Sequence, residues 1–325
     1  MFTPMTQPDV GSNPAGPGRG RGGVASAHLA RVVRATPFVA VHLGCLAAFA
    51  TGVDRPSLAL CVVTYLVRMF GITAGYHRYF AHRTYRTSRP FQLALALVGC
   101  SALQKGPLWW AGHHRDHHRH SDTPRDPHSP VVDSLWWAHV GWVLAAGPRV
   151  EGGRAVPDLD RFRELRWLDR NHWVPGLVLA AACYLVGGPA GLVWGFFVST
   201  VLCYHATFAI NSLGHRVGSR RYRTGDGSRN NLALALVTLG EGWHNNHHHY
   251  PGSANQGFRW WEIDVAYGLI KLLERTGLVW DVRRAPPTEV LERRGRVQDR
   301  RPPGPAPSPP GAKAAGPQAS AVGAG

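Results

Sequence analysis

Lysine and glutamate are scarce in this chain: three Lys and seven Glu among 325 residues, against 33 Arg. Cysteine is sparse too. All five (Cys45, Cys61, Cys100, Cys183, Cys203) lie in apolar runs, and no two have C-x-x-C spacing. That excludes a cysteine-held zinc or iron–sulfur site and a disulfide framework. These cysteines read as small core residues in a reducing setting. H-E-x-x-H is missing, so a zincin protease is excluded. The deaminase pair H-x-E and P-C-x-x-C is missing.

The longest absence is of charge. From Trp173 to Ile210, 38 residues pass without Asp, Glu, Lys or Arg. Two spans of about 20 residues joined by a tight turn fit that length, and "GGPAG" at 187–191 supplies the turn. A second apolar region, Pro37 to Gly75, is broken by "TGVDRPS". The expected fold is therefore all-α and membrane-embedded. It has four transmembrane helices in two hairpins, at about 37–53, 56–75, 172–188 and 190–210. Arg68, inside the second span, must snorkel or be paired within the protein.

The net charge of +16 is unevenly placed. Residues 1–36 carry 4 Lys+Arg, residues 76–172 carry 14 and residues 211–325 carry 16, while the hairpin turns carry almost none. Both termini and the central segment are thus expected on the cytoplasmic side. This accounts for the basic balance without nucleic acid, and no helix-turn-helix or zinc-finger spacing argues otherwise. The Arg, Gly and Pro bias suggests a GC-rich, bacterial genome, hence a bacterial plasma membrane. Residues 1–30 and 291–325 read as disordered ends, flanking a membrane domain over 31–290. "LALALV" occurs at 93–98 and 232–237, too short to span a bilayer. Trp260–Trp280 has the spacing of an amphipathic helix, and Trp136, Trp137 and Trp142 suit an interfacial belt.

What the chain has in abundance is histidine, 18 in all, concentrated in "HRYFAH", "GHHRDHHRHSD", "NSLGH" and "HNNHHH". His114, His117 and His118 stand at i, i+3 and i+4, and His244, His247 and His248 repeat that spacing, so each trio shares a helix face. His77, His82 and His215 complete nine candidate ligands, which suit two metal ions better than one. Imidazole favours Zn, Cu, Fe or Ni. Soluble di-iron bundles need two E-x-x-H motifs and two further Glu. Here only Glu241 and His244 have that spacing. A two-metal site of neutral ligands on a membrane protein points to redox-active iron and dioxygen.

The stretches "HRYFAH", "HHRDHHRHSDTPRDPHSP", "NSLGH" and "GEGWHNNHHHYP" resemble the histidine boxes of the membrane-bound fatty acid desaturases, in the acyl-CoA delta-9 (stearoyl-CoA type) branch. The resemblance covers roughly residues 37–285. It implies a cytoplasmic helical cap carrying two Fe, with dioxygen as oxidant. It also implies a cis double bond placed in a saturated acyl chain, and an external electron donor of ferredoxin or cytochrome type with an NAD(P)H reductase. The family's ligands fall on His77, His82, His114, His117, His118, His215, His244, His247 and His248. Its asparagine, which holds a metal-bound water, falls on Asn211. Gln104, Trp109 and Trp110 precede the second box, where the family lines its acyl tunnel. One departure stands out: Gly112-His113 occupies the place of an Arg-Asp pair that the animal acyl-CoA enzymes use at the headgroup.

Asp116, Asp122, Asp126, His128 and Glu241 are candidates to orient the ligand imidazoles. His113, His120 and His249 flank the boxes as neighbours. His28, His42, His139 and His172 read as surface or capping residues, and His205 as a packed polar group. An acyl-lipid desaturase, or a hydroxylase or ketolase of the same iron class, is the enzymatic alternative. A metal transporter, which would hold its ligands at the bilayer midplane, is the non-enzymatic one.

Overall fold

A computed structural model describes residues 21–145 and 153–292. The expected disorder of 1–20 and 293–325 lies outside the described residues. Helix α1 runs Arg21–Gly44, beginning within the segment expected to lack structure. The Ala-rich run after Gly23 has helix propensity enough to extend it. Helix α2 is Arg55–Phe70, and α3 and α4 are Arg89–Ser101 and Pro107–His120. Helix α5 is Arg163–Arg170, α6 Val174–Leu192 and α7 Ser199–Ser212. Two short helices, α8 (Leu232–Val237) and α9 (His244–His249), precede α10 (Val265–Arg275). Strands β1 (Arg86–Thr87) and β2 (Val279–Trp280) pair antiparallel.

Local chemistry sets these ends. Asp54 caps α2, accepting from the Ser57 amide at 2.7 Å, and Ser88 caps α3 through the Phe91 amide at 3.3 Å. Helix α4 has no cap of its own. Asp169, just inside the C-terminal end of α5, reaches over to accept from the Leu108 and Trp109 amides, both at 2.9 Å. Asp264 caps α10, so that helix is shorter than the Trp260–Trp280 pattern suggests.

Arg55–Ala81 and Val174–His215 are the described helical stretches long and apolar enough to cross a bilayer, with Ala35–Thr51 a shorter apolar helix. The second stretch is not straight. Gly188 takes φ 58° and ψ −150°, open to glycine at little cost, and the chain doubles back. A Cβ on Gly191 would stand 2.4 Å from the Cys183 carbonyl, so the two arms lie side by side. Outward-facing Val62, Val63, Leu185 and Val186 are exposed, as a lipid-facing surface requires. Helix α2 does not stop near Gly75. It continues through Gly71–Ala81 in wide, π-type turns that are buried throughout. Tyr85 and Tyr76 lock this segment by donating to the carbonyls of Ala74 (2.8 Å) and Lys105 (2.9 Å).

Arg68 is paired inside the protein rather than snorkelling. It donates to the Thr64 carbonyl (3.1 Å), to Thr200 Oγ1 (2.5 Å) and to Ser199 Oγ. A buried guanidinium that loses an acceptor keeps its desolvation cost. Thr200→Val is therefore expected to destabilise the fold by about 2 kcal/mol, read as a lower unfolding midpoint in detergent. An unchanged midpoint would show that this bond contributes nothing.

Candidate metal centre

His77 stands in the π-type extension of α2 and His82 just past its end. His114, His117 and His118 lie on α4, and His244, His247 and His248 on α9. His215 closes a tight turn after α7. These elements bring all nine imidazoles together, in two groups. His77, His82, His114, His118 and His247 form one, and His117, His215, His244 and His248 the other, the ligand atoms of each lying within 4.8 Å of one another. Helices α4 and α9 each feed both groups, because i, i+3 and i+4 neighbours fan slightly apart on one face.

The imidazoles meet nitrogen to nitrogen. His82 Nε2 lies 2.8 Å from His114 Nε2, which lies 3.0 Å from His118 Nε2. His247 Nε2 is 2.9 Å from His118 Nε2 and 3.0 Å from His77 Nε2. In the second group His215 and His244 face each other at 3.0 Å. Four outer Nδ1 atoms rest on carboxylates: His117 on Asp126 at 3.0 Å, His215 on Asp122 at 2.9 Å, His248 on Asp226 at 2.7 Å, and His77 on Glu241. A carboxylate at Nδ1 keeps the proton there and turns the Nε2 lone pair inward. His248 Nε2 is buried with no hydrogen-bond partner. Where Nε2 atoms converge in this way a cation would satisfy their lone pairs, and imidazole donors fit a first-row transition metal.

The carboxylates are anchored in turn. Glu241 accepts from Arg78 (3.2 Å) and Gln256 (3.1 Å), and Arg78 also bonds Asp264 at 2.9 Å. Asp122 accepts from Ser129 and from the Gly227 amide, both at 2.6 Å. Asp126, Asp122 and Glu241 are thus where a role in orienting ligands needs them. Asp116 is not: it lies 3.8 Å from His120, away from both groups. His128 packs on His117, ring centroids 4.5 Å apart. Asp226 and Gln256 escaped the sequence reading, since a lone Asp in "TGDGS" and a lone Gln carry no signal of their own.

Trp110 stacks over His114 at 5.0 Å and lines a cavity of about 40 Å³. Met69, Ile72 and Ile210 form its apolar wall, and Asn211, His117 and His244 its polar end. Trp109, one residue earlier, turns away to stack on His113 at 3.8 Å. Gln104 is outside the lining but bonds Thr207, which is part of it, at 3.1 Å. Trp142 is buried against His128 and Trp109 rather than standing in an interfacial belt, while Trp136 is exposed.

The family model for fatty acid desaturase matches residues 55–282. The chain belongs to the fatty acid desaturase family. It is 39% identical over 258 residues to the acyl-CoA C20 Delta5-desaturase of Anemone leveillei, covering 78% of this chain and 81% of that one. It is 39% identical over 233 residues to the sn-2 palmitoyl-lipid 9-desaturase of Nostoc sp. (strain 36), covering 70% and 81%. The Delta-9 acyl-lipid desaturase 1 of Arabidopsis thaliana is 38% identical over 266 residues, covering 81% and 86%. This desaturase is accordingly an oxidoreductase of fatty acyl chains, associated with a membrane.

Burial, then the neighbouring imidazoles, pushes His82, His114, His118, His244 and His247 well below the ordinary imidazole range. Burial also lowers His248 to about 4, against the pull of Asp226, and His128 to about 3. At His117 burial again opposes charge, but Asp126 overrides it and raises the pKa. The lowered group dominates in number. Unfolded imidazoles take up protons below about 6.5 that these folded ones refuse, His248 down to about 4 and His128 down to about 3, so stability rises with pH across that window. The metal-free chain is expected to unfold at a lower temperature at pH 5 than at pH 7. An equal or higher midpoint at pH 5 would contradict this electrostatic reading.

Proposed function

We propose that this desaturase inserts a cis double bond, at the delta-9 position, into a saturated acyl-CoA. The nine histidines would hold two irons, and dioxygen and two external electrons are the other reactants. The observation that carries the reading is the pair of imidazole groups with inward lone pairs beside a cavity whose other wall is apolar. The balance is one –CH2–CH2– unit, O2, two electrons and two protons in, and one –CH=CH– unit and two waters out. Bound iron supplies, with dioxygen, the oxidising power that no side chain has.

The protein's part is placement. Met69, Ile72, Ile210 and Trp110 hold methylenes by shape, because methylenes offer no polar handle. Asn211, at the polar end, would hold a metal-bound water; Trp110, and Gln104 through Thr207, would shape the acyl path, while Trp109 stands away from the cavity on His113. Asp126, Asp122, Asp226 and Glu241 fix ring orientation. The apolar runs support four membrane spans, and the charge asymmetry supports both termini and the site on the cytoplasmic side. The basic cytoplasmic surface suits an acidic electron donor.

One local feature speaks for the alternative, an acyl-lipid substrate. A Cβ on Gly112 would lie 2.5 Å from the Arg154 carbonyl, and His113 packs under Trp109. Those two positions therefore offer no charged pair to a CoA headgroup. Feeding labelled stearoyl-CoA, then labelled phospholipid, to membranes supplied with a reductase separates the substrates. An acyl-CoA product carrying a new double bond is expected. Product on phospholipid alone would favour the lipid substrate, and a hydroxylated product would overturn desaturation. His117→Ala is expected to lose bound iron and all activity, while His120→Ala keeps two irons per chain. Equal loss from both would place the ligands elsewhere on α4.

A further inference from the structure

The loop from Ser219 to Asn230, "SRRYRTGDGSRN", carries four arginines and one acid, Asp226. Its ends are bridged: Ser219 N donates to the Asn230 carbonyl at 2.9 Å and Asn230 N to the Ser219 carbonyl at 2.7 Å. Asn245 on α9 accepts from the Arg221 and Tyr222 amides, both at 2.8 Å. The loop is thus fastened to a helix that carries three histidines of the metal centre. Its tip reaches the second imidazole group directly. Asp226 Oδ2 meets His248 Nδ1 at 2.7 Å, and the Gly227 amide donates to Asp122, which meets His215 at 2.9 Å. Two of that group's four rings are held through this one loop. The Asp226 side chain keeps 10% of its exposure while that of His248 keeps 2%, so a single carboxylate separates solvent from a ring of the group. Behind His77 of the first group, by contrast, Glu241, Arg78 and Asp264 stand in a buried row.

The charges around this tip are mostly of one sign. Segments 116–133 and 213–230 carry seven Arg, five Asp and no Lys or Glu. Asp122, Asp126 and Asp226 are spent on His215, His117 and His248, and Arg221 on Glu262. Six Arg are left against Asp116 and Asp133. Of these, Arg119, Arg125, Arg216, Arg220 and Arg223 are exposed. Arg216, Arg220 and Arg229 donate to the backbone carbonyls of Pro130, Asp226 and Gly218, at 2.7, 2.8 and 3.2 Å. Among the described residues no carboxylate pairs with these three, nor with Arg119 or Arg125. Elsewhere Arg78, Arg89 and Arg115 each have a carboxylate. Cations left without acids around one thin point make a field that an anionic partner would complete. The loop and the Thr123–Asp126 turn beside it expose no large apolar side chain, which a segment seated in a bilayer surface would need. The partner is therefore a protein rather than a lipid.

We propose that the Ser219–Asn230 loop and the Thr123–Asp126 turn form the docking surface of an acidic one-electron carrier protein. Its electrons enter beside Asp226, at the edge of the second imidazole group. The proposal rests on the desaturase reading, whose balance takes two electrons for each dioxygen, and adds where they arrive. Each docking passes one electron. The reduced carrier leaves oxidised by one, so two dockings serve one turnover, and no covalent bond forms or breaks between carrier and chain. Electron transfer weakens steeply with distance, which favours the place where one carboxylate lies between solvent and His248. The arginines attract and orient the carrier and touch no reacting atom.

The probe is a strongly acidic [2Fe–2S] ferredoxin. Its binding, in the oxidised form, is measured on the full chain in phosphatidylcholine nanodiscs, with zinc in the metal centre so that no turnover occurs. The parent chain is expected to bind at low salt and to lose affinity steeply as salt is raised. Arg220→Glu with Arg223→Glu, and separately Arg119→Glu with Arg125→Glu, should each weaken binding about ten-fold or more. Both pairs should keep the parent's metal content and unfolding midpoint; should the first disturb the loop, the second decides. Arg275→Glu with Arg284→Glu, the same change of charge outside the patch, should keep the parent's affinity. Parent affinity in the patch pairs, equal loss in all three pairs, or no binding by the parent at low salt would overturn the proposal. So would an effect seen only in phosphatidylglycerol nanodiscs, which would make this face a lipid contact. In the iron-loaded enzyme the patch pairs should raise the KM for reduced ferredoxin about ten-fold and leave the KM for the acyl substrate as in the parent. A rise in the acyl KM instead would assign the patch to the substrate and also overturn the proposal. If the parent oxidises no acyl substrate while ferredoxin binding still maps to this patch, the desaturase reading fails alone and the docking surface stands.

Discussion

A buried neutral imidazole has one proton and one lone pair, and its surroundings decide which nitrogen keeps which. Here four carboxylates make that choice from outside the cluster. Glu241, Asp126, Asp122 and Asp226 hold the Nδ1 protons of His77, His117, His215 and His248. The lone pairs are thereby turned inward, where the nine rings would otherwise have no reason to converge. Without that constraint, packing so many buried imidazoles nitrogen to nitrogen would leave donors facing donors.

The membrane-type helices serve this arrangement. The wide turns after Phe70 carry the second apolar helix past its expected end and deliver His77 to the cluster. The seventh helix ends at Ser212, three residues before His215. Apolar wall and polar centre are therefore built from the same continuous elements. A methylene held against Met69 or Ile210 faces the histidines with no loop between them. Arg68 and its hydroxyl partners pin the second and seventh helices together deeper in the bundle.

Much of this was legible in the sequence, for identifiable reasons. Charge-free runs have a length that physics ties to the bilayer, and "GGPAG" marks where such a run turns. The i, i+3, i+4 spacing of His114, His117 and His118 and of His244, His247 and His248 is a direct statement about a helix face. What was not legible depends on contacts across the chain. Asp226 meets His248 from 22 residues away, and nothing in "TGDGS" announces it. Asp116, beside two box histidines in sequence, points away from them in space. Trp142 reads as an interfacial residue by composition and is buried by tertiary packing. His42 and His139 read singly as surface or capping residues. Only the fold sets them on either side of His205, 163 and 66 residues distant.

The central claim is that nine imidazoles, four of them oriented by outer carboxylates, hold two irons. X-ray absorption at the iron edge, with metal analysis on the same sample, tests it most directly. The account predicts two irons per chain, each with a first shell dominated by imidazole nitrogen and its outer-ring scattering. One metal per chain, or a first shell dominated by carboxylate oxygen, would contradict it.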